Sequence, residues 1–144
     1  MGIVQFAMGV VKPGTIRSEG KPRAEAFRKA IRKHGIPLDV DVVFDCRFLP
    51  NPFWVEELRP FSGEDEPVRD YVLGQPESQD FLQKVDELMT SILPAFTREG
   101  KSYLTIAMGC TGGRHRSVTL ARELATRLSA HGEPVSVFHR DIDR

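Results

Sequence analysis

The segment from residue 103 to residue 131 constrains the fold more than any other part of the sequence. Its first residues, Tyr103 to Met108 (YLTIAM), form an apolar run with the length of a buried strand. A glycine-rich turn follows, and from Ser117 to His131 apolar residues recur at helical spacing. The predicted inward residues of this helix are Val118, Ala121, Leu124, Ala125 and Leu128. A strand that passes through a tight turn into an amphipathic helix is typical of α/β proteins.

The rest of the chain alternates in the same way between short apolar runs and helical patterns. The patterns predict strands at Ile3–Met8, Val40–Asp45 and Val135–Phe138, and helices at Pro22–Lys33, at Pro67–Gly74 and from Pro76 onward. The long third helix is predicted to face the core with the stripe Phe81, Val85, Leu88 and Ile92 and to kink or end at Pro94. Strands separated by helices predict an α/β fold with a largely parallel sheet flanked by helices.

Length and charge exclude several classes of protein. A chain of 144 residues is expected to form one domain, residues 1–144, around one core. Its 20 Lys and Arg residues balance its 20 Asp and Glu residues, so no global field draws it to nucleic acid or to an anionic membrane. No apolar run approaches the roughly 20 residues that span a bilayer, and no signal-peptide pattern is present. We expect a cytoplasmic domain without a membrane partner.

The turn Gly109 to Ser117 (GCTGGRHRS) is the strongest candidate for a binding site. It follows a predicted strand, and ligands of α/β sheets bind where strands end. Adjacent glycines allow backbone N–H groups to converge on an anion at the next helix's positive end, and the arginines add charge and bidentate donors. The candidate ligand-binding residues are Thr111, Gly112, Gly113, Arg114, His115, Arg116 and Ser117. A phosphorylated small molecule or inorganic anion is the predicted ligand; the alternative is a structural turn whose arginines point to water.

A second candidate region begins where the strand Val40–Asp45 ends. Asp45 and Arg47 are expected beside the glycine turn, Asp45 as a hydrogen-bond acceptor for the ligand and Arg47 as a phosphate contact. The alternative is an internal ion pair of Asp45 with Arg47 or Arg116 that only shapes the loop. The proline-rich segment from Cys46 to Asp65 is irregular, and Phe53 and Trp54 in it are expected to be packing residues. A partly exposed Trp54 would reopen the question of base stacking.

Cys110 to Arg116 also matches C-x5-R, the pattern of cysteine-dependent phosphatases. In that alternative Cys110 is the nucleophile and Arg116 binds the phosphate oxygens. A general acid is also required, for which Asp45, Asp65 and Asp141 are the candidates. Cys46 and Cys110 have no metal-ligand spacing, so we expect no metal and no cofactor. Binding without catalysis is the first interpretation.

Six blocks of sequence together resemble the C-terminal domain of the RapZ/YvcJ family of RNase adapter and nucleotide-binding proteins, over about Lys33 to Asp141. They are GIPLD (35–39), VFDCRFLPNPFW (43–54), ELRP (57–60), VRDYVLGQPE (68–77), KSYLTIAMGCTGGRHRSV (101–118) and HRD (139–141). The resemblance implies a phosphofructokinase-like α/β domain that self-associates, binds small RNA and, in some members, senses glucosamine 6-phosphate. The family's pocket positions correspond to Asp45, Thr111, Gly112, His115 and Arg116.

The sequence also departs from that family. Full-length members carry an N-terminal P-loop domain, but no G-x-x-x-x-G-K-[ST] occurs in this sequence, so nucleotide hydrolysis is not expected of it. A pocket histidine of the sensing members corresponds to Phe53. Residues 1–32 match the family poorly. This region, together with Lys33 that follows it, is rich in basic residues. Arg28, Lys29, Arg32 and Lys33 are the candidate RNA-binding residues, with a solvated helix face as the alternative. The expected partners are a small RNA or an RNase and further copies of the chain.

Overall fold

A parallel β-sheet organises the structure, a computed structural model that describes residues 2–7, 40–101 and 103–143. The strands of this sheet are β1 (Gly2–Ala7), β2 (Val42–Asp45), β3 (Thr105–Cys110) and β4 (Ser136–His139). They lie in the order β2-β3-β1-β4, and each neighbouring pair is parallel. Asp45 pairs with Gly109 and Ala7 with Cys110, so the carboxyl ends of the strands share one edge. The predicted α/β fold with a largely parallel sheet is confirmed.

Three helices flank this sheet in the described part of the chain: α1 (Glu66–Leu73), α2 (Pro76–Arg98) and α3 (Arg116–Ala130). Their buried side chains form one hydrophobic cluster with Ile106 and Met108 of β3. All five residues predicted to face inward from α3 are buried. No helix of the described residues has the length and hydrophobicity to cross a membrane. The helix predicted at Pro22–Lys33 lies outside the described residues.

The predictions for α2 need one correction, and one of their two alternatives at Pro94 is excluded. Its buried hydrophobic stripe is Leu82, Val85, Met89 and Leu93, whereas the predicted inward residue Leu88 is 47% exposed. The helix also continues past Pro94 to Arg98. A proline removes one backbone hydrogen bond, but Leu93 and Phe96 on either side of Pro94 pack against the core and hold the last turn in place.

Candidate anion-binding site

The glycine turn connects β3 to α3 at the carboxyl edge of the sheet. Gly113 has a φ of 65°, a left-handed conformation that glycine adopts without the steric cost of a Cβ. Thr111 and Gly112 are exposed, and a Cβ built on Gly112 meets no atom within 4 Å. The turn therefore presents an open backbone surface immediately before the N-terminus of α3, where unpaired N–H groups favour an anion.

Arg116, the first residue of α3, contacts Thr111 of this surface and is only 3% exposed. Its Nη1 donates to the backbone carbonyls of Arg47 (2.8 Å) and Leu49 (2.9 Å), and its Nη2 donates to the hydroxyl of Thr111 at 3.5 Å. Its Nε has no hydrogen-bond partner among the described residues. The structural-turn alternative expected the arginines to point to water, but the Arg116 guanidinium points to these carbonyls instead. Among the described residues, the hydrogen-bond acceptors of this buried cation are all neutral groups.

Arg114 and His115 contact the end of the proline-rich region, which we call the docked segment and define as residues 46–65. Arg114 Nη2 donates to the carbonyl of Pro60 at 3.1 Å, and His115 Nε2 lies 2.8 Å from the carbonyl of Phe61. The Nε of Arg114 is buried and unpartnered within the described ranges. Burial lowers the pKa of His115 below its usual 6.5, and the neighbouring arginines lower it further, although the Phe61 contact raises it. The imidazole is therefore mainly neutral at pH 7.

Gly63 brings the docked segment against the start of α3. Its N–H donates to the carbonyl of Arg114 at 2.8 Å, and its carbonyl accepts a hydrogen bond from Thr119 Oγ1 at 3.0 Å. A Cβ at this position would lie 2.4 Å from the carbonyl oxygen of His115. Sequence reasoning missed this contact and the carbonyl acceptors of Arg116, because a backbone carbonyl carries no residue-type signal.

Asp45 and Arg47 lie beside the site but bind each other. Arg47 Nη2 lies 2.6 Å from Asp45 Oδ2, and both the side-chain Nε and the backbone N–H of Arg47 donate to Oδ1. Burial acts to raise the pKa of Asp45, but the hydrogen bonds of Arg47 and the charge of Arg116 outweigh it and hold this pKa below 3.8. The internal ion pair weighed as the alternative is thus present, and Asp45 stays ionised.

Cys110 lies at the base of the turn and faces α3. Its Sγ is 3.0 Å from Ser117 Oγ, but the residue is 2% exposed. Burial raises the pKa of the neighbouring Cys46 thiol, and the nearby Cys110 adds to this effect. A nucleophile has to reach the phosphorus atom of a substrate, so the described geometry favours binding over attack by Cys110.

The three candidate general acids are engaged in other contacts. Asp45 is paired with Arg47, and Asp65 Oδ2 accepts a hydrogen bond from the backbone N–H of Ser62 at 2.7 Å. Asp141 is fully buried and lies 2.6 Å from Arg140 Nη2. A general acid needs an accessible proton near the leaving oxygen. None of these contacts favours such a role.

Fold and site together define a class: an α/β domain with a cationic glycine turn at the carboxyl edge of a parallel sheet. This turn carries two arginines that also hold the docked segment in place. The chain belongs to the RapZ C-terminal domain family, whose pattern it matches over residues 31–143. The predicted family membership is confirmed. The candidate RNA-binding residues Arg28, Lys29, Arg32 and Lys33 lie outside the described residues.

Several proteins of known organisms are similar to this chain. A nucleotide-binding protein of Frankia casuarinae is 54% identical over 129 residues, which is 87% of this chain and 45% of that protein. A nucleotide-binding protein of Thermobifida fusca is 54% identical over 87% of this chain and 44% of its own length. One from Mycobacterium avium is 55% identical over 78% of this chain and 39% of its own length. The chain thus spans less than half of these relatives.

Proposed function

We propose that this domain is a non-catalytic regulatory module that binds the phosphate group of a small molecule at the turn Thr111–Ser117. The buried guanidinium of Arg116 carries the proposal. A buried charge is costly unless it is paired, and no carboxylate lies within ion-pair distance of Arg116 in the part of the chain that the structure describes. The Asp45 carboxylate interacts with the Arg116 charge from a distance but is bound to Arg47, so an anion at the N-terminus of α3 would supply the direct partner.

The ligand class follows from the charge and the exposed backbone of the site. The arginines of the turn and the exposed backbone at Thr111 and Gly112 suit one phosphate group, so sugar phosphates and nucleoside phosphates both fit. The curated relatives are named nucleotide-binding proteins, but that name describes proteins more than twice as long as this match. The phosphate group is therefore the part of the ligand that we propose for this turn.

Substitutions at Gly112 test the phosphate site without disturbing the core. Because a side chain at Gly112 enters open space, we expect Gly112→Asp and Gly112→Asn to fold like the parent. The aspartate adds a negative charge beside the site, so phosphate affinity measured by calorimetry should fall about tenfold or more relative to the isosteric asparagine variant. Equal affinities in the two variants would place the phosphate elsewhere.

We propose RNA as a macromolecular partner of the basic stretch, with self-association and contact to an RNase as the further roles that family membership suggests. Arg28 and Lys29 have the charge to bind phosphates of a single strand. Replacing both with Ala should make the log–log salt dependence of RNA binding shallower by about one to two units and leave sequence preference unchanged. Gel-shift titrations at several salt concentrations measure this slope. No complex in low salt at high protein concentration would refute RNA binding.

A further inference from the structure

An aromatic pair in the docked segment has its backbone fixed by hydrogen bonds, but its side chains face solvent. Trp54 is 76% exposed and Phe53 is 48% exposed. The prediction that both are packing residues is therefore wrong. Base stacking on these rings has to be considered again. Their rings meet edge to face with centroids 5.8 Å apart, so the indole keeps most of its surface free.

Several contacts fix the conformation of this pair. Phe53 and Trp54 belong to the 3-10 helix Pro52–Trp54, which begins at a buried proline and is capped by the side chain of Asn51, the acceptor of the Phe53 N–H at 3.1 Å. Arg59 Nε donates to the carbonyl of Phe53 at 2.7 Å, and the Arg59 guanidinium lies 5.0 Å from the centroid of the Phe53 ring. A ligand that stacks on Trp54 would find the turn already ordered.

The same segment is attached at both ends to the glycine turn. Arg116 binds the carbonyls of Arg47 and Leu49 before the aromatic pair. After it, Arg114 binds the carbonyl of Pro60, the residue that follows Arg59. Since Arg59 is itself bonded to Phe53, two hydrogen bonds connect the aromatic turn to the arginine of the proposed phosphate site. The anion site and the exposed indole therefore lie on segments that hydrogen bonds join.

We propose that Trp54 stacks on the base of a mononucleotide whose phosphate occupies the glycine turn. This inference rests on the proposed function and adds to it a residue and a ligand class. A planar base covers the exposed indole without needing a hydrogen-bond partner from the protein. Glu56 and Glu57, which are exposed and follow Trp54 in the chain, repel the continuous phosphate backbone of RNA more than a single phosphate. Glu56, Glu57 and Arg59 together carry a net charge of minus one, and this negative charge disfavours RNA more than a mononucleotide.

Trp54 is the only tryptophan in the chain, so its fluorescence reports on this surface directly. We expect adenosine 5′-monophosphate to quench it saturably, whereas ribose 5-phosphate and inorganic phosphate leave it nearly unchanged. By calorimetry, the nucleotide should bind about tenfold or more tightly than ribose 5-phosphate, which lacks only the base. In the Trp54→Ala variant the two affinities should become equal, and Trp54→Phe should restore most of the difference.

Tyr103→Ala is the matched control, because Tyr103 is an aromatic residue of 57% exposure located before β3, at the opposite edge of the sheet. It should leave nucleotide affinity unchanged. Equal binding of nucleotide and ribose 5-phosphate by the parent would overturn the stacking proposal and leave the phosphate site standing. Failure of all three probes to bind would refute the phosphate site, and stacking with it. Quenching by a single-stranded oligonucleotide but not by the mononucleotide would overturn the inference in favour of RNA.

Discussion

Gly63→Ala is expected to destabilise the domain by about 2–3 kcal/mol, the upper part of the range for forced overpacking. The added Cβ would lie 2.4 Å from the His115 carbonyl oxygen, 2.7 Å from Val118 Cβ and 2.8 Å from the Thr119 backbone nitrogen. None of these atoms is the end of a flexible side chain, so relief requires the docked segment to move away from α3. Urea unfolding followed by circular dichroism measures the loss.

Gly112→Ala is the matched control for this effect. Its Cβ meets no atom within 4 Å, and Gly112 is not among the glycines with positive φ. At such a position the free energy of unfolding should stay equal or rise by up to about 1 kcal/mol, because the unfolded chain loses freedom. If both variants unfold at the same urea concentration, the docked segment does not pack against α3 as described.

The place of the glycine turn in the fold could be predicted because its signals are local in sequence. A strand pattern, adjacent glycines and a helical period occur within thirty consecutive residues, and parallel strands bring their ends to one edge. The inward face of α3 was correct for the same reason. The face of α2 was not, because this helix carries two adjacent apolar stripes that share Val85, one through Leu88 and one through Leu82 and Met89. Only packing against the sheet and α3 decides between them.

The contacts of the docked segment with the glycine turn could not be predicted from the sequence. Arg116 acts on the carbonyls of Arg47 and Leu49, which lie almost seventy residues earlier, and every residue type offers the same carbonyl. Trp54 was wrongly predicted to be a packing residue because large apolar residues are usually buried. This general tendency does not decide whether an individual aromatic ring on a loop is buried. Either Arg47 or Arg116 could form an ion pair with Asp45 by the sequence alone, and in the structure Arg47 forms it.

Arg116→Ala should lower both stability and phosphate affinity. Two carbonyls of the docked segment would lose a charged donor, which we expect to reduce the free energy of unfolding by about 3 kcal/mol. Phosphate binding should weaken by about 1.5–3 kcal/mol, the range for a hydrogen bond to a charged group. Denaturation curves give the first value, and calorimetry at a temperature where the variant is folded gives the second. Arg122→Ala, an exposed position on the same helix, should change neither.

The two roles of Arg116 can be separated with the Gly63→Ala variant. Gly63→Ala loosens the docked segment but keeps the guanidinium, so it should retain more phosphate affinity than Arg116→Ala at a similar loss of stability. Arg116→Lys keeps the positive charge but lacks the planar fork that reaches two carbonyls at once, so it should recover part of the phosphate affinity and little of the stability. A folded Arg116→Ala protein with the parent's phosphate affinity would contradict an anion site at this residue. Equal affinity losses in Arg116→Ala and Gly63→Ala would instead attribute binding to the position of the docked segment.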